Sequence, residues 1–234
     1  MTSIACLYYF KLGMMEVYNA LTVILATLWS VSASATLRKV ACYHHDDNDL
    51  SIYNFSLPDV HGESIIHFSD YKNKVRPFLF RIISATPQYY GLNALQETFK
   101  NFQIIGVPCN QFGKQEPGNN GTEILNTLKF VRPGDGFEPK FPLTKKTEVN
   151  GYNEDPLYTY LKTYCPAAEN TFYTEGSGIF YQPYRNSDVR WNFEKFLINK
   201  KGKPVLRYPF ATEPSVLLDV LTINTVDRLT IYNY

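Results

Sequence analysis

Two runs of this 234-residue chain carry side chains that can stabilise an anion without adding charge. The first is Val107-Pro108-Cys109-Asn110-Gln111-Phe112-Gly113-Lys114-Gln115-Glu116-Pro117-Gly118, which leaves an apolar strand and enters a loop dense in amides and turn residues. The second is Arg190-Trp191-Asn192-Phe193-Glu194-Lys195-Phe196-Leu197. Carboxamide and indole N–H groups donate hydrogen bonds while remaining neutral. Such donors favour the charged form of a neighbouring nucleophile. Peroxide reduction needs that environment: an ionised thiol attacks the O–O bond, becomes a sulfenic acid and is returned to the thiol by other thiols.

Together the two runs resemble the glutathione peroxidase family, in which a Gln from the first run and a Trp-Asn pair from the second surround a selenocysteine or cysteine. Carried over, the matching residues are Gln115, Trp191 and Asn192. Further runs typical of the family follow in order: Leu92-Asn93-Ala94-Leu95-Gln96, Phe130-Val131-Arg132-Pro133-Gly134, Val149-Asn150-Gly151, and Leu161-Lys162 leading to Cys165-Pro166. The likeness runs from about Asn54 to Asn224. It implies a thioredoxin-like α/β fold with a central mixed sheet flanked by helices. It also implies reduction of hydrogen peroxide and small organic hydroperoxides by thiols such as glutathione in the response to oxidative stress, with glutathione as co-substrate and no cofactor. The segment from Arg132 to Val149 corresponds to a region of the tetrameric members, which implies a homotetramer of the secreted branch.

One position departs from the family pattern. With Thr86 on the family threonine, the nucleophile position falls on Ile83, followed by Ser84. Isoleucine has no ionisable group and cannot attack a peroxide. The run from Arg76 to Ile83 departs from the family pattern as a block. Either the chain is a pseudoenzyme acting as a binding protein, or its conceptual sequence was spliced or frame-shifted around a selenocysteine UGA codon. Ser84 is an alcohol and a poor peroxide reductant. Cys109 is expected to be buried and inert. Arg190 and Arg207 flank the Trp-Asn run, and charge-assisted pairs to the two carboxylates of glutathione are expected of them.

The elements that must position these residues are legible from hydrophobic spacing. Short strands are expected over Ile52–Leu57 and Glu63–Phe68, around a Pro58–Gly62 turn. Val75–Ile83 is an apolar strand in which Pro77 fits badly. Gly91–Phe102 has helical spacing and leads into a strand over Gln103–Val107, so the strand–helix–strand order predicts a parallel crossover. Helices are expected over Thr122–Phe130, Pro156–Thr163 and Pro214–Leu221. Phe193–Ile198 and Val205–Tyr208 read as a hairpin around a basic turn.

Whole-chain properties bound the class. The hydrophobic content of 44% supports a sizeable core, and a net charge of +1 gives no argument for nucleic acid or an anionic membrane. The stretch from Ala20 to Ala35 is apolar or small and ends in the A-x-A pattern Ala33-Ser34-Ala35. A signal peptide over residues 1–35 is therefore expected, followed by one secreted domain over 36–234. The apolar stretch is shorter than the roughly 20 residues of a membrane span. Of Cys6, Cys42, Cys109 and Cys165, three would follow the leader, and an odd count in a secreted chain implies an intermolecular bridge or a free thiol. The sequons at Asn54 and Asn120 are possible glycosylation sites. The polar block His44–Asp49 reads as a solvated stretch, and no metal site is expected.

Overall fold

The computed structural model describes residues 39–43, 50–72, 86–171 and 178–218, with the backbone alone over 75–80. The expected leader over 1–35, His44–Asp49, Ile83 and the chain beyond 218 lie outside the described residues. All described residues belong to one compact unit, Arg38–Tyr234.

A five-stranded mixed sheet organises this unit. Its strands are β1 (Val40–Ala41), β4 (Val75–Phe80), β5 (Phe102–Gly106), β6 (Lys195–Ile198) and β7 (Pro204–Tyr208), in the order β1-β7-β6-β4-β5. β4 and β5 are parallel, joined through helix α1 (Thr86–Thr98), and every other pairing is antiparallel. The expected crossover and hairpin are both present. β2 (Ser56–Pro58) and β3 (Ile65–His67) form a separate small hairpin.

Side chains alternate across a strand, and here both faces are buried. Ile105 and Phe196 join a core with Ile52, Leu157 and Leu161. Ile104 and Leu197 join the opposite core with Leu92, Leu95 and Leu128. The sheet thus lies between α3 (Pro156–Tyr164) on one face and α1 with α2 (Gly121–Phe130) on the other. Covering both faces explains why β5 and β6 read as continuous apolar runs rather than alternating ones.

Several boundaries differ from expectation for local reasons. Ile52–Asn54 is a 3-10 turn, because the Ser51 hydroxyl accepts from the Tyr53 amide while Asn54 Oδ1 accepts from the Ser51 amide. Pro77 does sit in a central strand. The pairing of β4 with β5 shifts register between Val75 and Pro77, and β6 pairs only from Phe78 onward. A residue without an N–H is tolerated at such an irregularity. The last element opens as a 3-10 turn over Pro214–Val216.

Candidate active site

The loop that follows β5 is held in shape by its own amides. Asn110 Oδ1 accepts from the Glu116 amide at 3.0 Å, closing the loop on itself. Gln111 is buried, and its Oε1 accepts from the amides of Val149 and Asn150 while its Nε2 donates to the Asn150 carbonyl at 2.7 Å. Phe112 bridges Ile179, and the Gly113 amide donates to the Gly178 carbonyl. Gly178 has a φ of +90°, and a Cβ there would meet Trp191 at 3.4 Å and Gly113 at 3.5 Å. These are ordinary contacts, so it is the left-handed φ that favours glycine there. Gly113 and Lys114 are themselves left-handed, at φ +64° and +45°, and this turn presents Gln115.

The second segment is fixed by buried charges. Asn150 donates to the Val189 carbonyl and accepts from its amide. The Arg190 amide donates to Glu194, whose other carboxylate oxygen accepts from Arg207 Nε. Phe193 is left-handed at φ +60°, and its carbonyl accepts from Lys195 Nζ at 2.8 Å. Burial drives the Lys195 ammonium down to about 7, against the opposing pull of Glu213 and Glu194.

These two segments meet. Asn192 Nδ2 donates to Gln115 Oε1 at 2.8 Å across 77 positions of sequence. The Trp191 ring packs on Phe112 with centroids 5.8 Å apart. Asn192 is buried, and its Oδ1 has no hydrogen-bond partner among the described residues, so an acceptor lies open beside Gln115. β4 ends at Phe80, which is in register with Gly106 and Lys195, the strand ends next to the two motif segments.

Arg190 and Arg207 depart from the expectation drawn for them. Arg207 is fully buried, paired with Glu194 and donating to the carbonyls of Cys165, Ser187 and Asp188. Arg190 donates to the carbonyls of Glu169, Arg185, Asn186 and Asp188. Both guanidinium groups brace backbone carbonyls, and Arg207 is also paired with the buried Glu194. Cys42 and Cys165 form an intramolecular disulfide, and Cys109 is buried outside any disulfide, its Sγ donating to Gln111 Oε1 at 3.4 Å. Cys42 is thus paired within the chain rather than to a second one, and of the three cysteines from Cys42 onward Cys109 is the odd one. Asn54 and Asn120 are exposed; Asn120 is the N-cap of α2, and the Asn54 side chain accepts from the amide of Ser51, the N-cap of its turn. Among the described residues no cluster of His, Cys, Asp and Glu could hold a metal, and no helix is long and apolar enough to cross a membrane.

Residue-by-residue reading missed the positioning network. Lys162 Nζ donates to Glu154, Asp188, Asn150 Oδ1 and the Val149 carbonyl, joining α3 to the segments behind both motif runs. The signal was present, since Lys162 follows directly on the apolar face of α3. A cavity of about 620 Å³ also opens beside the amide-rich loop. Asn110, Gln111 and Lys114 line it, whereas Gln115, Trp191 and Asn192 do not.

The family model for glutathione peroxidase matches residues 52–162. Glutathione peroxidase 3 of Bos taurus is 45% identical over 177 residues, covering 74% of this chain and 77% of that protein. Glutathione peroxidase 3 of Hylobates lar is 42% identical over 207 residues, covering 86% and 90%. The epididymal secretory glutathione peroxidase of Rattus norvegicus is 40% identical over 215 residues, covering 88% and 96%. Among solved structures, Trgpx in apo form aligns with a TM-score of 0.50 at 27% identity over 74% of this chain and 95% of that one. T. cruzi GPX1 aligns with a TM-score of 0.52 at 24% identity over 77% and 100%. The fold is thioredoxin-like α/β. The chain belongs to the glutathione peroxidase family.

Proposed function

We propose that this protein is built for thiol-dependent reduction of hydroperoxides, with Gln115, Trp191 and Asn192 as neutral donors around the position occupied by Ile83. The observation that carries the reading is the Asn192–Gln115 hydrogen bond, which joins two distant runs of neutral amides at one point. Low-dielectric surroundings strengthen such donors toward an anion. With a thiolate at position 83, attack on a hydroperoxide breaks the O–O bond, yields the alcohol or water and leaves a sulfenic acid. One glutathione condenses with the sulfenic acid, releasing water and forming a mixed disulfide. A second displaces oxidised glutathione and regenerates the thiol.

Isoleucine at position 83 supplies no electron pair for the first step, so the chain as written is inactive. The same residue favours a second reading, a secreted non-catalytic protein that keeps the scaffold as a binding surface. Ile83→Cys separates the two. Peroxide turnover with glutathione, followed by NADPH consumption in a coupled assay, is expected to rise clearly above the parent's background. A folded Ile83→Cys protein with no turnover overturns the catalytic reading in favour of the binding protein.

Export is the second part of the proposal, with residues 1–35 as leader and 36–234 as the mature domain. The Cys42–Cys165 disulfide supports it, since such bonds persist in oxidising compartments. The homotetramer remains the assembly implied by the segment from Arg132 to Val149.

A further inference from the structure

Arg190 is engaged by backbone carbonyls and Arg207 by carbonyls and Glu194, so we look elsewhere for the positive charge expected to receive the thiol donor. The cavity behind the amide-rich loop supplies it. Lys114, Lys145 and Lys146 all line its walls, joined by His61, and Glu148 is the one acidic side chain there. Lys145 and Lys114 are exposed, and Lys146 is half-buried with one donor on the Glu116 carbonyl at 3.0 Å. Lys114 lies over the Phe180 ring at 4.5 Å, which orders one wall. The end of α2 also borders this cavity, but Asn120 and Glu123 already cap it, so the lysines provide the field.

Resting on the catalytic reading above, we infer that this lysine-lined cavity docks the carboxylates of the thiol donor, a small acidic peptide of the glutathione type. Such a tripeptide carries two carboxylates and one ammonium at neutral pH. Three lysines match the first and Glu148 the second, and ammonium–carboxylate contacts are charge-assisted. The volume lies within the range of small-ligand sites, about 300–1,000 Å³. Lys114 on the cavity wall is the neighbour of Gln115 in the site, about 3.8 Å away at Cα, while an extended tripeptide spans roughly 10 Å. The donor can hold its carboxylates among the lysines and pass its thiol over the edge of the loop.

The probe is S-methylglutathione, whose blocked sulfur requires no nucleophile in the protein, titrated calorimetrically at low salt into a chain carrying Thr122→Ala to remove the sugar acceptor on the rim. Saturable binding is expected, weakened at least tenfold by Lys145→Glu with Lys146→Glu and by esterifying the probe. The same charge change at Lys200 and Lys201, in the basic hairpin turn, is expected to leave binding within twofold. Absence of saturable binding, indifference to the cavity reversals, or equal loss from both pairs overturns the inference. Thermal unfolding of each variant excludes a folding defect, and the milder Lys145→Gln with Lys146→Gln serves if the reversals do not fold. Ile83→Cys distinguishes the two failures. Turnover whose glutathione KM ignores the cavity lysines overturns the docking site and leaves the function standing. An inert Ile83→Cys protein that still binds the probe through those lysines upholds the docking site and removes the catalytic reading.

Discussion

At the scale of single residues, Lys195 shows how the Trp-Asn segment is held. Its Nζ donates to the carbonyls of Phe193 and Thr212, with Phe210 at 3.4 Å, so one buried amine pins the left-handed turn after Asn192 to the chain beyond β7. A lysine whose pKa falls to about 7 on folding, against its ordinary value in the unfolded chain, binds fewer protons when folded across that interval. Below about pH 7 both states hold the proton and the burial penalty is fully present. Above it only the unfolded state does, so the stability contribution rises with pH by at most about 1.4 kcal/mol per unit. Urea midpoints measured between pH 6.5 and 9 are expected to climb more steeply in the parent than in Lys195→Met. Parallel slopes would exclude Lys195 as the source.

At the scale of elements, the site depends on how α3 is tied to the segments ahead of β6. Lys162 brings one ammonium to two carboxylates, Glu154 and Asp188, whose side chains are almost wholly buried. Removing one partner of a buried ion pair costs about 3–5 kcal/mol, because the remaining charge is left uncompensated. Lys162→Met is therefore expected to lower the unfolding free energy by an amount of that order. Replacing all three by apolar residues of matched size should recover much of the loss. Denaturant unfolding of the single and triple variants checks both expectations, and a loss below about 1 kcal/mol in the single variant would show that the network is dispensable.

At the scale of the whole molecule, the Cys42–Cys165 disulfide ties β1 at the sheet edge to the end of α3, across 123 residues of sequence. Closing a loop of that size stabilises a chain by about 2–5 kcal/mol, less any strain in the native state. Peptide mapping without reductant is expected to recover a Cys42–Cys165 crosslink and an unmodified Cys109. Cys165→Ser is expected to unfold at lower urea by an amount in that range. A Cys42 crosslinked to a second chain would restore the intermolecular bridge and overturn the pairing seen here.

By itself, the sequence determined the parts whose signals are local. The apolar runs around Ile104 and Leu197 mark strands, Pro156 opens a helix, and the Gly202 turn closes a hairpin, because each rests on neighbours a few residues apart. The matched runs also singled out Gln115, Trp191 and Asn192 as candidates by residue type and order. Tertiary structure alone decided which of them meet, since the Asn192–Gln115 bond spans 77 positions and depends on strand pairing and on the Gln111–Asn150–Val189 connection. It also decided which cations face inward. Arg190 and Lys114 are alike in charge and both sit in motif runs. One is buried against carbonyls and the other is exposed on a cavity wall, and that difference depends on the burial and bonding of residues remote in sequence.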